Sequence, residues 1–303
     1  MKPQLKQFLK LLVVFSLFLS SPAHAQESEK AEAADKAETI EVPPFWNFVT
    51  DLPQDIKLFG GELVDPENFP LFIGLGVMTA VTTATDYETW QAAKIPEDDD
   101  EFIHKFSNQG VSMGDGFFQF GVAGSLLAAG AITGNKRFYR ATSQIVEAIL
   151  ATGIVVQLLK HTTGRESPFS SESRTGVWRM FPNQVEFSKD QQKFDAMPSG
   201  HLSTATTTLV VIEENFPNQT WIPYVGWPIL GWISYGLVAT SIHWWSDFPI
   251  AIAIGYSFGK IVTRSNRPHA ELGLKDENPI WHPMIFPGFS SEGEPILVGS
   301  WSF

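Results

Sequence analysis

From about residue 70 the chain alternates between apolar blocks and short polar connections. The blocks cover about 70–82, 117–134, 143–159, 202–212, 221–241 and 248–263. Phe117 to Gly134 contains no charged residue, and Glu147 is the only one within 143–159. Nearly uncharged runs of about 17–20 residues are long enough to cross a bilayer, although several of these blocks are shorter. Thr-rich stretches such as Ser203 to Thr208 suit a helix packed on other helices better than one surrounded by lipid. The pattern predicts an all-α fold, a membrane-embedded bundle of about six helices over residues 70–265.

The two ends read differently. Lys2, Lys6 and Lys10 lead into the uncharged run Leu11 to Leu19, followed by Ala23-His24-Ala25. A basic region, an apolar region and an A-x-A site in that order predict a secretory signal peptide over residues 1–25. An uncleaved anchor is the alternative, with a run short for spanning. Residues 26–41 are rich in Ala, Glu and Lys without an aromatic, which predicts a linker. Residues 42–69 mix Trp46, Phe48, Leu52, Ile56, Leu58 and Phe59 with acids and prolines, as expected of an interfacial segment or one lying on a helical core. Residues 266–303 form a short irregular or β-hairpin tail, in which Pro295 to Phe303 pairs with residues near Met284–Phe286 across Ser290–Glu294. It carries no chemistry and reads as a structural cap.

Charge narrows the partners. The sequence holds 33 acidic and 21 basic residues, a net charge of −12. Removing residues 1–25 takes three lysines and no acid, leaving 18 basic residues and a net −15. Such acidity argues against nucleic acid or an anionic surface as a partner reached through bulk charge. A phosphate substrate therefore needs a local cationic cluster. There is no cysteine, hence neither disulfide nor thiolate chemistry. The mean hydropathy of −0.02 is low for a membrane protein because the polar ends dilute the blocks.

Three segments carry candidate chemistry: Lys160-His161-Thr162-Thr163-Gly164-Arg165-Glu166-Ser167-Pro168, Pro198-Ser199-Gly200-His201, and His243-Trp244-Trp245-Ser246-Asp247. Each lies at the end of an apolar block, where a bundle can assemble a polar pocket. At a helix start, Pro-Ser-Gly-His offers free amides and a helix dipole to an anion, and Gly200 lets a ligand approach the backbone. His201 stands beside that position as a proton donor to a departing oxygen. His243 and Asp247, four apart, share a face of a helix, so the carboxylate can hold one ring nitrogen and leave the other free to attack phosphorus. Lys160 and Arg165 supply positive charge for a phosphoryl transition state. Taken singly, a His/Asp pair or two cations at a helix end are commonly structural. Order and placement together favour chemistry.

These segments resemble the signature of the type-2 phosphatidic acid phosphatase superfamily, to which bacterial class A acid phosphatases and vanadium haloperoxidases are related. The pattern is Lys, six residues, Arg-Pro; then Pro-Ser-Gly-His; then Ser-Arg, five residues, His, three residues, Asp. The resemblance spans about residues 115–263, and Pro198–His201 matches in full. It implies that His243 is the nucleophile, Asp247 its orienting partner and His201 the acid for the leaving group. Lys160, Ser199 and Gly200 bind phosphate, and neither metal nor cofactor takes part. Ser167-Pro168 stands where the family has Arg-Pro, and Gly236-Leu237 where it has Ser-Arg. Both phosphate-binding arginines are thus replaced, and Arg165 is the candidate substitute, with Arg174 or Arg179 behind it.

The implied activity is phosphomonoester hydrolysis on a phosphorylated lipid. A soluble periplasmic acid phosphatase of broad specificity, acting on small phosphomonoesters, and a non-catalytic lipid-binding member are the alternatives. Lys136, Arg137, Arg140, Lys260, Arg264 and Arg267 fall at block ends opposite the three segments. Basic residues collect on the cytoplasmic side, so the expected location is a bacterial inner membrane with the site facing the periplasm, or the periplasm itself. A cleaved signal peptide leaves residue 26 outside, whereas alternation of the blocks requires 70–82 to be entered from inside. The two agree only if that block is too short to span or 42–69 is re-entrant.

Overall fold

The computed structural model describes residues 42–43, 46–95 and 101–265, together with the backbone of 284–289 and 295–300. The signal peptide, the 26–41 linker and Arg267 lie outside the described residues. The chain divides into two units, Met1–Asn266 and Arg267–Phe303. In the second, β1 (Met284–Phe289) pairs antiparallel with β2 (Pro295–Ser300), Met284 opposite Ser300 and Phe289 opposite Pro295. The tail expectation of a hairpin is realised in that register.

The described part of the first unit is α-helical. Its helices are α1 (Asn47–Thr50), α2 (Leu52–Val64), α3 (Phe69–Ala93), α4 (Glu101–Gly114) and α5 (Gly116–Thr133). Then come α6 (Lys136–Thr163), α7 (Gln184–Lys189), α8 (Gly200–Asn215), α9 (Trp221–Ala239) and α10 (Phe248–Ser265). The all-α expectation holds. Six long helices, α3, α5, α6, α8, α9 and α10, run alternately up and down.

Polar contacts between apolar helices set the register. Thr142 Oγ1 of α6 donates to the Ala123 carbonyl of α5 at 3.2 Å. Thr152 and Thr207 hydroxyls meet at 2.9 Å between α6 and α8. Farther along, Asn215 Nδ2 donates to Gln144 Oε1 at 2.6 Å. Most threonines of α8 return their hydroxyls to their own helix, Thr206 to the Leu202 carbonyl at 2.7 Å and Thr208 to that of Thr204 at 3.0 Å. A buried hydroxyl satisfied in this way packs almost as an apolar group. Against this surface α10 comes close enough that a Cβ on Gly255 would stand 2.4 Å from the Ser203 carbonyl oxygen.

Pro66–Ala93, α5, α6 and α9 are long and apolar enough to cross a membrane. Phe69, Leu71, Ile73, Val77, Met78 and Val81 of α3 stand exposed. An apolar helix uncovered by protein is stable where lipid is the solvent, and the chain is a membrane protein.

Two elements exceed the reading from blocks. The 70–82 block is only the first half of α3, which rules out its being too short to span. Thr82, Thr83 and Thr89 do not interrupt it, because their hydroxyls donate to the carbonyls of Met78, Thr79 and Thr85 at 2.7–2.8 Å. Short and polar, α4 was not expected at all. It lies along α9, where Trp232 Nε1 donates to the Phe106 carbonyl at 2.9 Å and the Phe106 and Trp232 rings stack at 4.9 Å.

Within 42–69, α2 touches the helical core. Phe59 of α2 is buried and stacks on Phe258 of α10 at 4.7 Å. Asp55, one turn earlier, is wholly buried and faces Glu147 and Ser265. Burial pushes its carboxyl up to about 6, Asp51 adding to the rise and the neighbouring Glu147 and Ser265 opposing it.

Candidate active site

The three segments meet at one end of the bundle. Gly164, in the left-handed region with φ +52°, ends α6, and its amide donates to the Lys160 carbonyl. Only glycine fits here: a Cβ would lie 2.1 Å from the Arg179 carbonyl oxygen. The loop 164–199 then folds back on itself. Glu166 N–H donates to the Val177 carbonyl, Arg179 N–H to that of Gly164 and Ala196 N–H to that of Arg165, each at 3.0 Å.

Ser199 caps α8, its hydroxyl accepting from the Leu202 amide at 3.4 Å, and its own amide donates to the Asp247 carbonyl at 3.3 Å. Gly200 opens the helix with Lys160 Nζ alongside, 3.8 Å from where a Cβ would be. A second neighbour of Nζ is Asp195 Oδ2 at 3.5 Å. The rings of His201 and His243 stand 6.3 Å apart at 72°. Burial, followed by the charges of His243 and Lys160, pushes the His201 imidazole down to about 4; Asp115 and Asp195 oppose this weakly.

His243 and Asp247 touch for a different reason from the one read in their spacing. They do not share a helix face; a 3₁₀ turn, Trp245–Asp247, follows an extended Trp244. Asp247 Oδ2 accepts from the Trp244 amide at 2.8 Å and lies 3.3 Å from His243 Nδ1. A proton on Nδ1 directed at this carboxylate leaves Nε2 with its lone pair free.

Arg165 corrects the expectation placed on it. Its guanidinium is fully buried, wedged between the rings of Trp178 at 4.8 Å and Trp244 at 5.7 Å. Nη1 donates to Asp247 Oδ1 at 2.5 Å and to Ser246 Oγ at 2.7 Å. Nη2 donates to Asp86 Oδ2 and to the Thr175 carbonyl, both at 2.7 Å, and Nε to that same carbonyl at 3.2 Å. All five N–H donors are engaged, so Arg165 has none for phosphate. The reserve arginines are engaged as well, Arg174 with Glu88 and the Tyr87 ring, Arg179 with Glu166 at 2.6 Å. At the positions of the family arginines, Leu237 is wholly buried in the apolar core and Ser167 lies within the loop, its amide on the Gln192 carbonyl.

Residues 141–269 match the family model described as PAP2 superfamily. The matched segment is under half of the chain. It contains all three signature segments, so the resemblance read from them stands. One solved structure found to be similar is the crystal structure of the first transmembrane PAP2 type phosphatidylglycerolphosphate phosphatase from Bacillus subtilis. The two share 12% identity with a TM-score of 0.42, over 68% of this chain and 98% of that one. No curated protein matches the sequence.

Two residues at the site escaped sequence reasoning. Asp86, fully buried on α3, accepts from Arg165 and from both the amide and the hydroxyl of Ser246, at 3.1 and 2.5 Å. The available signal was an acid, two residues before Glu88, in the continuation of an apolar helix, which in a membrane protein marks a paired group. Ser246 lies inside the third segment, but nothing in its spacing points to Asp86.

Proposed function

We propose that the chain is a phosphatase hydrolysing phosphomonoesters, lipid phosphates in particular, through a phosphohistidine intermediate and without a metal. The observation that carries this reading is the juxtaposition of His201 and His243 beside Lys160 at the N-terminus of α8. The open amides of the first turn and the Lys160 ammonium receive the phosphoryl oxygens. His243 Nε2 attacks phosphorus while the ester oxygen departs on the far side and takes a proton from His201. Asp247 holds the positive imidazole formed on His243. In the second half, His201 takes a proton from water as its oxygen attacks the phosphohistidine, releasing inorganic phosphate and restoring His243.

Lipid substrates are supported by the exposed apolar faces of the helices and by the position of Lys160, His201 and His243 at helix ends. The basic residues beginning α6 and ending α10 lie at the opposite end, so the proposed orientation faces the site outward, to the periplasm if the host is bacterial. A soluble acid phosphatase is disfavoured by the exposed side chains of α3.

The test uses the purified full chain in detergent with ³²P-labelled lipid and soluble phosphomonoesters. Turnover is expected to survive EDTA and to stop with vanadate, and acid-labile, base-stable phosphoprotein should be trapped in wild type but not in His243→Ala. Activity abolished by EDTA and restored by a divalent metal, or full activity in His243→Ala, would refute the reading.

A further inference from the structure

Resting on the assignment of His243 as nucleophile, we infer that Asp86 and Arg165 are positioning residues that fix both the geometry and the charge of the Asp247–His243 pair. Each oxygen of Asp247 has a separate task. Oδ1 is held by Arg165 Nη1 at 2.5 Å; Oδ2, held by the Trp244 amide at 2.8 Å, is left to face His243 Nδ1. Rotation of the carboxylate would break at least one of these bonds, so the imidazole is presented in one tautomer and one orientation.

The charge follows from the same contacts. Arg165 by itself would cancel the negative charge that Asp247 offers to the imidazole. Asp86 stands on the other branch of the guanidinium, its Oδ2 at 2.7 Å from Nη2. With both carboxylates ionised, Asp86, Arg165 and Asp247 together carry one net negative charge, and all three side chains are fully buried; burial works against the charge on Asp86, and Ser246 and Arg165 favour it. Water does not screen them, and the Trp178 and Trp244 rings close the guanidinium in. Ser246 locks the outer acid, donating its hydroxyl to Asp86 while accepting from Arg165. The device reaches the nucleophile from α3, an element outside the family-matched segment.

Other charged groups face His243 or the groups around it, namely His201 on α8, Lys160 on α6, Asp115 at the start of α5, and Asp195 and the Glu166–Arg179 pair in the loop. None of them changes in the variants below. Removing the negative charge of Asp86 favours neutral His243, so Asp86→Asn should move the acidic limb of the kcat/KM profile to lower pH. Removing the positive charge of Arg165 acts in the opposite sense, so Arg165→Met should move that limb to higher pH. A role confined to packing has no reason to produce opposite signs.

The experiment measures kcat/KM against pH, trapped phosphoprotein and sulfate inhibition for wild type, Asp86→Asn, Arg165→Lys, Arg165→Met and the Asp86→Asn/Arg165→Met double variant. Each single variant is expected to lose roughly tenfold to a hundredfold in kcat, the scale for groups that orient a reacting residue. Sulfate inhibition should be unchanged, Arg165→Lys should recover part of the loss, and the double variant should return the limb toward wild type. Limbs that do not move, or that move the same way in Asp86→Asn and Arg165→Met, would overturn the inference. So would loss of sulfate inhibition in Arg165→Lys, which would make Arg165 an anion ligand. Wild type yielding no phosphoprotein would instead sink the nucleophile assignment itself, so the two failures are told apart.

Discussion

Anion binding should draw a proton onto His201. In the resting site its imidazole is held near 4 by burial and by the charges of His243 and Lys160, so it is neutral at pH 6. A tetrahedral dianion seated between Lys160 and the α8 amides brings negative charge to about 4 Å from the ring. At an effective dielectric of about 20, one unit charge at that distance is worth about 4 kcal/mol, or about 3 pKa units. One unit of charge therefore lifts the imidazole from about 4 to roughly 7. Between those values the complex binds one more proton than the free protein, and affinity tightens tenfold for each unit that pH falls. Sulfate is the suitable probe because it remains a dianion across this range. Its inhibition constant against a soluble phosphomonoester should follow a slope near one decade per pH unit from about pH 6.5 to 4.5. His201→Gln, measured at the lower turnover it retains with an activated leaving group, should flatten that slope. Calorimetry in buffers of different ionisation enthalpy should report uptake of about one proton by wild type. The same slope in wild type and His201→Gln would refute the reasoning, since the proton would then be taken up elsewhere.

Two further expectations concern stability. Asp55 is held at about 6 instead of the ordinary 3.8, so the folded state keeps a proton that the unfolded chain gives up. The associated stability is present below about pH 4 and lost as pH rises through about 6, at most about 3 kcal/mol. Asp55→Asn should therefore melt at a higher temperature than wild type at pH 7.5 and show a flatter pH dependence; identical pH dependence of Tm in the two would contradict this. Gly164→Ala places a Cβ against the Arg179 carbonyl in a left-handed conformation, at a cost of at least about 1 kcal/mol. It should lower Tm by several degrees and kcat with it, because Arg165 is the next residue; an unchanged Tm would contradict the close approach.

The bundle was legible in the sequence because burial in protein or lipid demands long apolar runs, and those runs survive as blocks. Polar residues that satisfy themselves locally were the blind spot. Thr83 to Glu88 read as a connection, yet a threonine hydroxyl bonded to its own helix leaves that helix unbroken. The small residues of α4 that meet α9, Ser107 and Gly110, give no periodic apolar signal. At the candidate site, the Pro-Ser-Gly-His segment could be placed at a helix start because that turn is encoded in its own residues. His243 and Asp247 were paired correctly by a helical argument that the 3₁₀ turn replaces. Arg165 was misread because its partner Asp86 is 79 positions away, and no local spacing encodes a contact of that length.

The burial of Asp86 also sets the smallest piece of this protein able to stand alone. The segment with family likeness starts at residue 141, and a fragment cut there retains Lys160, His201, His243 and Asp247. It would also retain Arg165 without Asp86, so Nη2 loses a buried acceptor at a cost on the scale of about 1–3 kcal/mol, and the guanidinium then cancels the charge of Asp247. Such a fragment holds every signature residue and lacks the second carboxylate on the guanidinium. The unit that holds Arg165 therefore includes α3, and the helix that most resembles a simple membrane anchor supplies a buried carboxylate to the candidate site.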